Sequence, residues 1–214
     1  RERLTIEKSA IGFHLSGHLF DEAELEIRKF IKQPLAQVNE SREPQWVAGI
    51  VRSERSVPTA KGKLNIFVLD DASCSVEVSA DESLFARYRP LINEDALLVC
   101  LVKVQNDRRG GGLRFSLVEA LDLPSARCRF GKYLKISLSL AHGVHNMWLK
   151  QLTDACTLTP TEAASGLPVR LQLHLKEAEA EFQLGEKAYI HPTDEVLHAL
   201  MEHVPPQDSM IVYE

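Results

Sequence analysis

Leu64-Asn65-Ile66-Phe67-Val68-Leu69-Asp70-Asp71-Ala72-Ser73-Cys74-Ser75-Val76-Glu77-Val78-Ser79 is the stretch on which the fold turns. An apolar run ends in two aspartates, a small-residue turn follows, and the chain returns with apolar and polar residues in strict alternation. Alternation at a period of two belongs to a strand with one buried face, so this is a pair of β-strands joined by a tight connection. Asp at the end of the first strand suits the turn, because its carboxylate can accept hydrogen bonds from backbone N–H groups just ahead of it. Reading outward toward the amino terminus, Trp46-Val47-Ala48-Gly49-Ile50-Val51 begins another strand. It runs on through Arg52-Ser53-Glu54-Arg55-Ser56-Val57 toward a loop holding Pro58 and Lys61-Gly62-Lys63. Toward the carboxyl terminus, residues 83–92 form a short helix, apolar at Leu84, Phe85, Tyr88 and Leu91. Residues 96–104 are a strongly apolar fourth strand, Asp107-Arg108-Arg109-Gly110-Gly111-Gly112 a hairpin loop, and residues 113–121 a fifth strand.

Three strands, a helix and two more strands is the element order of the OB barrel, in which the helix plugs the open end. Gly49 fits a sharp bend in the long first strand. On pattern alone, another small β-meander with one helix stays open. Residues 1–42 read as a helical linker, broken at Gly17-His18, resumed with Asp21 as a cap and ended by Pro34. Residues 123–131 read as a short connector. Beyond them the pattern is strand, helix, strand, strand or hairpin, helix, strand. This βαββαβ order implies helices packed on one face of a single sheet. The expected division is a linker at 1–42, the barrel at 43–124 and the α/β domain at 125–214.

Composition narrows the function. The 214 residues carry a formal net charge of −5, so any contact with nucleic acid must come from a local basic patch. Cys74, Cys100, Cys128 and Cys156 are far apart, with no pair at zinc-ligand spacing, and read as reduced thiols of a cytoplasmic protein. No apolar run approaches the ~20 residues of a membrane helix. The first residues lack both an initiator Met and an apolar signal core, as in a processed protein or a piece of a longer one.

Catalysis finds little support. The acidic pairs Asp21-Glu22, Asp70-Asp71, Asp81-Glu82, Glu94-Asp95 and Asp194-Glu195 sit at turns or helix starts, and paired carboxylates for two-metal chemistry are not evident. Spacing offers no metal companions to the histidines, among them His14, His18, His142 and His145. No cofactor is expected. The barrel suggests binding instead, since OB folds hold single strands with the face of strands two and three and with the one-to-two and four-to-five loops. The first loop region carries Arg52, Arg55, Lys61 and Lys63. Arg108 and Arg109 lie in the second, flanked by Lys103 and Arg114. Phe67 and Phe115 are the candidates for stacking on bases, and core positions would explain both equally well. Glu54, Asp70, Asp71 and Asp107 stand close enough to dilute the positive field.

Ile11-Gly12-Phe13-His14-Leu15-Ser16-Gly17-His18 resembles a signature of the alpha subunit of bacterial DNA polymerase III, although Leu19 stands where that family usually has Pro. Leu69-Asp70-Asp71 with Val76-Glu77-Val78, and Gly110-Gly111-Gly112-Leu113-Arg114-Phe115, agree in the same order. The resemblance spans the whole chain and implies the carboxyl-terminal part of a DNA-directed DNA polymerase, a nucleotidyltransferase whose catalytic aspartates lie upstream in the palm. It implies an OB domain that binds single-stranded template DNA and a last domain that binds the tau subunit of the clamp loader, with the sliding clamp as a further partner. The tail residues Met210, Ile211, Val212 and Tyr213 are then candidates for partner binding, or else complete the domain's own sheet. The alternative is a stand-alone OB-fold protein binding single-stranded nucleic acid. A small enzyme with a cleft between the domains is the third class, and no nucleophile–base pair supports it.

Overall fold

A computed structural model describes residues 18–60, 62–107, 111–139, 146–156, 166–174, 178–185, 188–201 and 209–213. The chain divides into two compact units, Arg1–Asp122 and Leu123–Glu214.

In the first unit, β1 (Gln45–Thr59) is long because it serves two partners. It pairs antiparallel with β4 (Leu97–Asn106) from Gln45 to Ile50, then with β2 (Gly62–Asp70) from Ile50 to Thr59. Gly49 sits at the handover, where an added Cβ would lie 3.0–3.2 Å from the Asp70 backbone. Its role is thus the close approach of two strands. The irregularity in β1 comes later, as a bulge at Arg52 between Val51 and Ser53. β3 (Ser75–Asp81) runs antiparallel to β2, and β5 (Leu113–Leu121) joins β3 in parallel and β4 antiparallel. The result is a closed barrel in the order β1-β2-β3-β5-β4, the OB arrangement. Inward residues alternate along each strand: Val47 and Val51, Phe67 and Leu69, Val78 and Ala80, Val102 and Val104, Phe115 and Leu117. The helix α2 (Glu82–Tyr88) packs Leu84, Phe85 and Tyr88 against this core, and Asp81 caps it by accepting the Leu84 N–H at 2.8 Å.

The described part of the expected linker lies on the barrel. The helix α1 (Asp21–Ile27) is short, and Asp21 is its first residue rather than a flanking cap; its carboxylate accepts the His18 N–H at 2.8 Å. The helix ends well before Pro34, and a 3-10 turn follows at Leu35–Gln37. Leu35 and Val38 then join the barrel core.

In the second unit, residues 123–131 are more than a connector. They form helix α3 (Leu123–Phe130), with Pro124 in the first turn, where its missing N–H costs no hydrogen bond. The chain leaves α3 so tightly that a Cβ on Gly131 would lie 2.5 Å from the Arg127 carbonyl oxygen. Next come β6 (Gly131–Ser139), α4 (Asn146–Ala155), β7 (Leu167–His174), β8 (Glu179–Gln183), β9 (Tyr189–Ile190), α5 (Asp194–Met201) and β10 (Ser209–Tyr213). β6 and β7 are parallel, and α4 lies in the crossover such a pair requires. The sheet order is β10-β6-β7-β8, with β9 added beside β7. The expected βαββαβ order thus holds, extended by α3 and with the hairpin resolved into two short strands. Leu134, Ile136, Leu167, Val169, Ile190 and Ile211 from strands meet Trp148, Leu152, Leu197 and Leu200 from helices. Trp148 donates its indole N–H to the Leu200 carbonyl at 2.9 Å, so the buried ring leaves no polar atom unmatched.

Candidate nucleic-acid interface

The outer face of β1, β2 and β3 follows from alternation and register. With Phe67, Leu69, Val78 and Ala80 turned inward, Arg55 and Val57, then Leu64, Ile66 and Val68, then Glu77 and Ser79 face out. Arg55 reaches across β2, and one of its terminal nitrogens lies 2.8 and 2.9 Å from the two Glu77 oxygens. Arg52, at the bulge, has its Nε 3.4 Å from Asp70 and a terminal nitrogen 3.7 Å from Asp95. Another terminal nitrogen is 2.6 Å from His18 Nε2.

Several expected roles need correcting. Arg52 and Arg55 are strand residues already engaged with carboxylates, rather than free cations of a loop. The reason is that Pro58 does not end β1. This part of the strand pairs only with β2, so the missing N–H of Pro58 breaks no second ladder. β1 runs on to Thr59 and β2 begins at Gly62, which lies in the left-handed region at φ 118°. Phe67 is fully buried at 0% exposure and cannot stack on a base, and Phe115 is buried too. Lys61, Arg108 and Arg109 lie outside the described residues.

The cations that remain available are Lys63, at the start of β2, and Lys103 and Arg114, on β4 and β5. All three are exposed, and none has an ion-pair partner among the described residues. Lys103 stands opposite Ser116, and Gln105 opposite Arg114. Directly paired residues share a face with their Cβ atoms ~5 Å apart, so these four side chains form one outward polar patch. The hairpin beyond it is shaped by Gly111 and Gly112, at φ 71° and 93°, and by the Asp107 N–H donating to the Gly112 carbonyl at 2.9 Å.

Asp70 and Asp71 act as a fastening. The Asp71 carboxylate has no exposed side-chain surface. It accepts from Arg28 at 2.9 Å, the Leu35 N–H at 2.9 Å, and the Ser73 N–H and hydroxyl at 3.1 and 2.5 Å. Burial pushes its pKa up, but these hydrogen bonds outweigh that and leave it below the usual carboxylate value. Asp70 is lowered in the same sense: burial raises it, and the Ala72 N–H, His18, Ser75 and Arg52 more than compensate. His18 Nε2 lies 3.1 Å from Asp70, and its Nδ1 accepts the Phe20 N–H at 3.1 Å. Both aspartates thereby hold the segment before the barrel against the β2–β3 turn. Sequence reasoning placed Asp71 in a turn but had no signal for its partner Arg28, 43 residues away. Among the described residues, no group of three or more His, Cys, Asp or Glu side chains is placed to hold a metal.

The tail is a strand of its own sheet. β10 pairs antiparallel with β6 and lies at a sheet edge. Ile211 is buried in the core and is corrected from a partner-binding residue to a structural one. Val212 and Tyr213 are half-buried, and Met210 is exposed. The four cysteines are free thiols, with Cys100 fully buried. No helix among the described residues is long and apolar enough to cross a membrane.

No family model matches the chain. Over its whole length it is 32% identical to the DNA polymerase III subunit alpha of Pseudomonas aeruginosa, of which it spans 18%. It is 30% identical over 94% of its length to the same subunit of Vibrio cholerae, spanning 17% of that protein. Among solved structures it is similar to the second single-stranded DNA binding protein of Mycobacterium smegmatis. That likeness has a TM-score of 0.35 and 14% identity, and covers 40% of this chain and 90% of that one.

Proposed function

The chain belongs to the family of bacterial DNA polymerase III alpha subunits, whose carboxyl-terminal region it matches, and from this we propose that it is a non-catalytic module of a replicative polymerase. The barrel holds single-stranded template DNA, and the second unit tethers the polymerase to the tau subunit of the clamp loader, with the sliding clamp as a further partner. Tethering raises the effective concentration of polymerase at the fork without new chemistry. Nucleotidyl transfer belongs to the rest of such a polymerase, working in the cytoplasm.

The observation that carries the DNA reading is the outward patch of Lys103, Gln105, Arg114 and Ser116 at the β4–β5 hairpin. It stands beside a loop that OB folds use for nucleic acid, and Arg108 and Arg109 follow in the sequence of that loop. The test is a titration of the chain with a labelled single strand at several salt concentrations. Log affinity should fall linearly with log salt, and Lys103→Ala with Arg114→Ala should lower the slope by about 0.7 for each phosphate that is no longer neutralised. A slope unchanged in the double variant overturns the assignment of this patch.

A further inference from the structure

OB folds that bind single strands combine a cationic groove with aromatic platforms on which bases stack. The outer face of β2 and β3 here carries the first kind of group nearby and none of the second. Its outward residues include Leu64, Ile66, Val68 and Ser79, with Val57 beside them on β1. The described aromatic residues of the barrel are placed elsewhere. Phe67 and Phe115 are inside it, Phe85 and Tyr88 lie on α2 against the core, and Trp46 stands opposite Leu101 on the β1–β4 side. The Arg55–Glu77 pair spans the same face, committing its one guanidinium to a carboxylate. An aliphatic row can pack on deoxyribose. It cannot supply the π-face that fixes a base.

We infer that the barrel grips a nucleic-acid strand by its sugar–phosphate backbone, with the aliphatic row against the sugars and the Lys103–Arg114 patch on the phosphates. This rests on the DNA-binding reading above and narrows its ligand: the strand is recognised as a polyanion with sugars, whatever bases it carries or lacks.

The test compares two labelled single strands about 16 nucleotides long, one of thymidines and one made wholly of abasic tetrahydrofuran sites, each titrated into the full chain at low salt. The expected result is equal affinity within about twofold, because the abasic strand forgoes no stacking. Each stacked base would weaken the abasic strand by about tenfold or more. That outcome overturns the backbone grip and leaves DNA binding standing. If neither strand binds, the DNA reading falls and this inference with it. A gain-of-function variant checks the face itself. Ile66→Trp should tighten the thymidine strand by about tenfold and leave the abasic strand unchanged. Unchanged affinity for both would remove the β2–β3 face from the path of the strand.

Discussion

Asp71 receives hydrogen bonds from Arg28, the Leu35 amide and Ser73, and its lowered pKa ties barrel stability to pH. Unfolded, such a carboxyl titrates near 3.9. Its folded value is lower, so its contribution is fully present above about pH 4 and is lost as pH falls through the folded value. Urea unfolding at pH 7 and again below pH 4 should show this acid limb. Asp71→Asn should flatten the limb and lower stability at pH 7 by about 1–3 kcal/mol, since Arg28 then loses its carboxylate. An acid limb as steep as before would assign it to another group. Phe67 offers a second check at this scale. As a core residue it should tolerate Phe67→Leu at a cost of a few kcal/mol or less, with single-strand affinity unchanged. A stacking role would instead cost about tenfold in affinity.

Single elements show which parts of an expected interface are already spoken for. β10 completes the sheet of the second unit, and its residues divide by face. Ile211 points into the core that also holds Trp148 and Leu197, so Ile211→Ala should destabilise that unit by about 2–4 kcal/mol in thermal or denaturant unfolding. Met210 is exposed, and Met210→Ala should stay within about 0.5 kcal/mol of the native stability. If the tail meets tau, the same change should weaken a tau pull-down. Full retention of tau would leave β10 a purely structural strand. Hairpin geometry matters equally at β4–β5, where the register puts Lys103 and Arg114 on one side. A one-residue slip would turn both into the barrel.

The whole molecule is two compact units, each with its own apolar core. A chain ending at Asp122 should therefore unfold in one cooperative transition and, if the proposed roles hold, keep the single-strand affinity of the full chain and lose its tau binding. A non-cooperative melt would mean that the barrel needs the second unit to fold. That piece must keep residues 18–42, because Leu35 and Val38 are part of the barrel core and Arg28 fastens to Asp71.

Local signals decided a good deal. The period of two in residues 46–57 and 64–79, the helix after the third strand and the Asp107–Gly112 turn specify three strands, a helix and two strands. Only a few topologies accept that order, and the OB barrel is one. The sequence of residues 132–213 likewise determined the order of strands and helices in the second unit. The tertiary structure alone decided which charged and aromatic side chains are available. Arg55 meets Glu77 across 22 residues, and Phe67 turns inward because closure fixes the register of β1 against β2. It also showed that residues 18–42 lie on the barrel and that β10 is an edge strand with Ile211 inside. Strand period and turn chemistry are written in neighbouring residues, whereas ion pairing and burial arise from groups that only chain closure brings together.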